Sequence, residues 1–325
     1  MNKLKKIGLS ALAGSLAFTA VQAGELAVSG GAEVTYTHLD GSETTGTPWG
    51  MGRLITFSGS GDLDNGMTMG FFSSMNDSMS GISSSAMSIG MGTMGTVAYE
   101  TGANGSGINS VDNMVPTAYE EADHGMDTGA VQVGDSHGSS GVLSYNNTFA
   151  GVKVSGQYNS RAGTGAINDS GTGGDTGLGS AYSMVFSSSD LVDGLTVGYG
   201  MGQLDVTANG TSQDSDTMWA NWATGAVTVG IQVGNVEETG QTEHETIMAG
   251  ISFAVNDNLA VSYQMMEDEY NKVGATNVTT EFTGISASYT MGSLSLKGAK
   301  NQGNDVGGTL GASDDNTELS LSVAF

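Results

Sequence analysis

Apolar and polar side chains alternate along most of this chain with a period of two. Val227, Val229, Ile231 and Val233 fall on one face of a run whose other face is Thr228, Gly230 and Gln232. Leu319, Leu321, Val323 and Phe325 stand likewise against Glu318, Ser320 and Ser322. Successive residues of a β-strand point to opposite faces, so this alternation predicts strands. It recurs in sixteen segments, at residues 25–39, 54–61, 67–75, 86–92, 96–100, 140–146, 151–158, 178–186, 195–204, 216–223, 226–234, 246–253, 259–266, 281–289, 293–300 and 316–325. Seven short turns and eight longer loops alternate between them. The turn at 62–66, DLDNG, carries an Asn-Gly pair suited to positive φ. Short turns at one rim and long loops at the other predict an all-β, 16-stranded antiparallel transmembrane β-barrel. Closure removes unpaired strand edges, which hydrocarbon cannot tolerate. Tyr36, Tyr158, Trp222, Phe253 and Tyr289 lie near segment ends, where aromatic side chains sit at the membrane interfaces.

Residues 101–139 break the pattern. They carry six carboxylates (Asp112, Glu120, Glu121, Asp123, Asp127 and Asp135) and no Lys or Arg. A connection this long is usually functional. The expectation is a third external loop that folds into the lumen and sets what passes, its carboxylates attracting cations as acidic rings do. A solvated acidic loop over the mouth is the competing arrangement. Residues 116–125 are expected to form a short helix. Pro116 suits the first turn, Glu120 and Glu121 fall early, and Gly125 can close it.

Composition narrows the alternatives. Glycine accounts for 52 of 325 residues, proline for 2, and only 38% of the chain is apolar. A two-sheet sandwich of this size needs inward faces richer in large apolar groups. A Gly-rich solenoid needs a fixed repeat, and none is present. The N-terminus reads as a secretory signal peptide over residues 1–23, leaving a barrel domain at 24–325. Lys3, Lys5 and Lys6 precede a small-residue apolar run, and Val21 and Ala23 fit a cleavage site. That run is too short for a transmembrane helix. Without the three lysines, six basic residues face 34 acidic ones, a net charge of −28. Nucleic acid is an unsuitable partner for such a chain, whereas cations suit it. Zero cysteines exclude disulfides and thiolate-held metals.

Individual residues follow from parity. Lys153, between Val152 and Val154, and Lys297, out of phase with Leu294 and Leu296, are expected on the lumen wall with Glu33. Arg53 is placed there too, although it shares parity with Ile55 and Phe57. Asp205, Glu237, Glu243, Glu267, Asp314 and their neighbours gather on the long-loop side. Such groups suit loosely bound divalent cations, which prefer oxygen ligands, but no segment has an ordered calcium-loop spacing. His38, His124, His137 and His244 show no zinc spacing, and no nucleophile motif or phosphate loop occurs. The expectation is therefore no cofactor and no enzyme.

The run from Ser144 to Tyr158, SYNNTFAGVKVSGQY, resembles the sixth and seventh strands of general bacterial porins of Gram-negative outer membranes. The ending LSLSVAF, closing on Phe325, is similar to that family's assembly signal. The position of the long loop after the fifth segment matches as well. The resemblance implies an outer-membrane homotrimer embedded in lipid, passing small hydrophilic solutes and ions, with residues 101–139 as the constriction. It also implies a Pro-Glu-Phe-Gly-Gly loop tip and several wall arginines. The nearest tip here is Pro116 to Glu121, PTAYEE, and candidate wall cations are few. A non-channel barrel with a structural, adhesive or receptor role, its lumen plugged by the loop, is the alternative.

Overall fold

The period-two alternation is realised as sixteen strands in the computed structural model, which describes residues 26–40, 46–103, 105–134, 137–138, 140–160, 179–206, 211–238 and 240–325. The signal peptide expected over residues 1–23 lies outside those residues. The strands are β1 (Leu26–Asp40), β2 (Trp49–Asp62), β3 (Thr68–Met75), β4 (Ile82–Gly90), β5 (Thr96–Thr101), β6 (Ser140–Phe149), β7 (Val152–Asn159) and β8 (Ala181–Ser188). They continue as β9 (Leu195–Val206), β10 (Thr211–Thr224), β11 (Val227–Glu238), β12 (Glu243–Ala254), β13 (Leu259–Asn271), β14 (Val278–Met291), β15 (Leu294–Asn304) and β16 (Ser313–Ala324). Each pairs antiparallel with its sequence neighbours, and β1 pairs with β16 to close the barrel. Phe325 completes that seam, exchanging two backbone hydrogen bonds of 2.9 Å with Gly30.

The turns obey local chemistry. Ala150 and Gly151 both take positive φ, +48° and +82°, as the two-residue turn joining β6 to β7 requires. At the opposite end the strands run further than their apolar alternation does. β9 reaches Val206, β13 reaches Asn271 and β14 begins at Val278, so several acids expected in loops lie on paired strand ends. The backbone ladder continues there although the outward face has turned polar.

One parity of each strand carries exposed apolar groups, including Phe71, Leu143, Ile231, Ile251, Ile285 and Leu319. The other carries polar residues such as Ser144, Gln157, Thr217, Gln232, Gln264 and Ser320, all buried. The apolar set faces lipid and the polar set faces the lumen. What buries the polar set is the segment following β5.

Candidate functional site

Residues 106–134 touch inward-facing positions on every strand from β7 to β16. Gly107 N donates to Ser155 Oγ at 3.0 Å on β7, and Ile108 N to Ser183 Oγ at 2.9 Å on β8. Met114 N donates to Gln232 Oε1 at 2.6 Å on β11, while Asn221 Nδ2 on β10 donates to Met114 O at 2.6 Å. Ala118 N reaches Ser262 Oγ at 2.9 Å, Tyr119 N reaches Ser286 Oγ at 3.0 Å, and Ala122 N reaches Gln264 Oε1 at 3.0 Å. Asn301 Nδ2 on β15 donates to Glu121 O, and Asp127 N donates to Asp314 Oδ2 on β16 at 2.6 Å. At the start of the segment, Glu100 on β5 accepts from Ser106 Oγ and Ser144 Oγ.

Apolar packing adds to these bonds. Ile108, Val111 and Val133 bury against Val185, Trp219 and Val236, while Val115 and Ala122 bury against Met248, Met266 and Phe282. Inward glycines make room for the segment. A Cβ on Gly284 would lie 3.0 Å from Ala122 Cα, and one on Gly250 would lie 2.8 Å from Pro116 O.

This docking explains why residues 116–125 form no helix. Their N–H groups bond to Ser262, Ser286 and Gln264 rather than to carbonyls four residues back. Only isolated turns remain, His124 N to Glu121 O and Met126 N to Asp123 O.

The loop carboxylates divide into groups. Asp123 and Asp112 lie close enough to Glu121 to raise its carboxyl through their charges. Burial is the larger cause, and together they push Glu121 up to about 7. Burial raises Asp112 and Asp123 as well. Gln132 Nε2 donates to Glu121 at 3.3 Å, and Ala130 N donates to Asp123 Oδ2 at 3.0 Å. Glu120 belongs elsewhere, beside His124 at 3.5 Å, and Asp127 is exposed. Asp135 lies outside the described residues.

Glu33 and Lys297 come together on the lumen wall, Nζ to Oε1 at 3.8 Å, with Ser320 Oγ also donating to Glu33. Lys297 Nζ sits 4.9 Å from the centre of the Tyr119 ring, so the loop covers it. Lys153 shares the inward parity of Ser155 but pairs with Thr148 beside the β6–β7 turn, away from the loop. Arg53 is not a wall residue. It pairs with Ala32, one position out of phase with Glu33 and Gly52, and so points outward with Ile55 and Phe57. Parity decides its direction.

Across from the loop, β1 to β4 present Thr35, Thr56, Ser58, Ser74, Ser84 and Ser88 to the lumen, with Glu33 and Asp62 as their charged inward residues. No Lys or Arg occupies an inward position on these four strands among the described residues. Several residues hold the loop without any local motif to mark them, Gln232, Gln264, Ser262, Ser286, Asn301 and Glu318 among them. Their one sequence signal is polar identity on the inward parity.

A closed barrel of sixteen strands, apolar outside and polar within, with one loop laid along its inner wall, defines an outer-membrane channel. The sequence matches the Gram-negative porin family over residues 8–325, and the chain belongs to that family. It is a passive channel of the outer membrane. The fold is similar to that of an anion-selective porin from Comamonas acidovorans, at 15% identity and a TM-score of 0.68 over 93% of this chain and 99% of that one. It is also similar to in-vitro folded OmpT of Vibrio cholerae in a trimer form, at 11% identity and 0.65 over 94% and 100%. Salmonella typhi OmpF in complex with daunomycin gives 12% identity and 0.68 over 92% and 97%. A search of curated proteins finds no significant sequence match.

Proposed function

We propose that residues 101–139 narrow this channel and that it passes small hydrophilic solutes with a preference for cations. The carrying observation is the charge distribution. Carboxylates lie on the loop and at Glu33, while the facing β1–β4 wall offers hydroxyls and no base among the described residues. The inward lysine nearest the loop, Lys297, is paired with Glu33 and covered by Tyr119. A cation crossing this space meets an attractive, mainly one-signed potential. The anion selectivity of the Comamonas relative does not bear on this, because likeness at 15% identity extends to the fold and not to the placement of charges.

The trimer form of the Vibrio relative supports a homotrimer here, and the exchange between Phe325 and Gly30 supports a role for the terminal Phe in closing and assembling the barrel. Purified protein in a planar bilayer under a potassium chloride gradient tests the reading. Stepwise conductance with a cation-directed reversal potential is expected. Absence of conductance overturns the open-channel reading, and an anion-directed potential overturns the selectivity.

A further inference from the structure

The loop tip carries one imidazole set between two carboxylates. His124 Nδ1 lies 3.5 Å from Glu120 Oε2 on the loop itself, and Nε2, on the other side of the ring, lies 3.5 Å from Glu318 Oε2 on β16. A carboxylate oxygen only accepts, and a neutral imidazole has one N–H to give. Both contacts are therefore attractive only when the ring carries a proton on each nitrogen. In the neutral ring, one lone pair faces an anionic oxygen.

The groups packed around the ring favour its charged form. Asp123 adds a third carboxylate from the loop. Lys297 on β15 is turned to Glu33 of β1 and to the Tyr119 ring, and Asp314 on β16 accepts from Asp127 N. β15 and β16 otherwise present neutral amides, Asn301 Nδ2 and Asn316 Nδ2, which donate to His124 O at 3.0 and 3.1 Å. Tyr119 Oη and Thr37 Oγ1 of β1 donate to Glu318 at 2.5 and 3.3 Å, so Glu318 keeps its place on the wall whatever the state of the ring. The bond to Glu318 raises the His124 imidazole above its ordinary value; burial opposes this, and the charges of Glu120, Glu318 and Asp123 add to it. The side chain is 38% exposed, so protons reach it from the lumen.

We propose that His124 is a proton-operated latch: doubly protonated, it ties the loop tip at residues 120–128 to β16, and loss of one proton loosens that tip. The effect is local, because residues 118–122 stay docked through Ser262, Ser286 and Gln264, none of which titrates. An imidazole that holds its proton more tightly in the docked loop stabilises docking fully below the free value of about 6.5. That contribution is lost as pH rises through the higher docked value. One coupled proton changes the ratio of loose to docked tip by up to about tenfold per pH unit. Glu121, raised to about 7 by burial, also gains its charge as pH rises and opposes docking in the same direction, so a Glu121 variant separates the two. The latch stands whether or not the channel prefers cations, because it needs only the docked loop and its test reads motion rather than current.

The experiment uses the whole barrel in detergent. The chain has no cysteine, so Thr128→Cys at the exposed tip takes a single nitroxide label, whose mobility is read by electron paramagnetic resonance from about pH 5 to 9. An immobile signal in acid is expected to give way to a mobile one through a single midpoint above about 6.5, the ratio rising by up to about tenfold per pH unit. In the same labelled chain Glu121→Gln should keep this transition, whereas His124→Gln should be mobile at every pH. Should the His124 variant fail to fold, Glu120→Gln removes one acid beside the ring and should move the midpoint to lower pH. A signal that does not change with pH, a transition that survives in His124→Gln, an unmoved midpoint in Glu120→Gln, or a transition abolished by Glu121→Gln would overturn the latch.

Discussion

Gln232 on β11 is the side chain whose loss should most directly loosen the loop. Its Oε1 accepts from Met114 N at 2.6 Å, and its Nε2 donates to Val111 O at 2.8 Å and Asp112 O at 3.0 Å. Only 1% of its surface is exposed, so water cannot replace these bonds without the loop moving. Gln232→Leu keeps nearly the same volume against Val111 and Trp219 but leaves the Met114 N–H without its acceptor. An orphaned buried donor costs about 1–3 kcal/mol. Asn221 still holds Met114 O, and Val111 and Val115 remain buried, so local undocking rather than unfolding is expected. A cost of about 2 kcal/mol raises the undocked population about 30-fold. Hydrogen exchange over residues 111–115 should accelerate by that factor, and single-channel current should become noisier with the mean open level raised. Gln203→Leu, on the outward face, is the control. Unchanged exchange in Gln232→Leu would refute the claim that amide side chains of the wall pin the loop.

Three further outcomes follow from charge and closure. Glu121 is raised to about 7, so it gains a proton as pH falls from 8 to 6, and cation preference should fall over that window when measured with a chelator present. Glu121→Gln should flatten the step, and a step that survives it would place the titration elsewhere. Lys297→Met leaves Glu33 uncompensated. One charge at ~6 Å in water is worth about 0.7 kcal/mol, so cation permeability relative to anion should rise by up to about threefold; a fall would show that Lys297 is not a wall cation. Deleting Phe325 removes both backbone bonds to Gly30. Folding yield into liposomes, read by gel mobility without heating, should drop several-fold, and an unchanged yield would remove the terminal Phe from assembly.

Sixteen strands were legible because lipid and lumen impose opposite polarity on adjacent residues, and Glu33 and Lys297 could be assigned to the wall by that rule. Arg53 shows the same rule being set aside wrongly: its parity with Ile55 and Phe57 already pointed outward. Strand ends were not legible. Around Glu267 to Asn271 and Val278 to Glu281 the outward face carries acids and threonine in place of apolar groups while the backbone ladder continues. The short helix expected over 116–125 had sound local signals, but Ser262, Ser286 and Gln264 capture its N–H groups, and no local pattern reveals acceptors more than a hundred residues away. Glu318 meets His124 for the same reason, 194 positions apart in sequence, so spacing alone could not suggest their contact.

The proposed cation preference arises from a carboxylate-bearing loop facing a hydroxyl wall. The zero-current potential of the purified protein in a planar bilayer, under a tenfold potassium chloride gradient at pH 8 with a chelator present, tests it most directly. A potential displaced toward the potassium equilibrium value is expected, with a smaller displacement once Glu120, Glu121 and Asp123 are replaced by their amides. A potential displaced toward chloride, or one that those replacements leave unmoved, would contradict it.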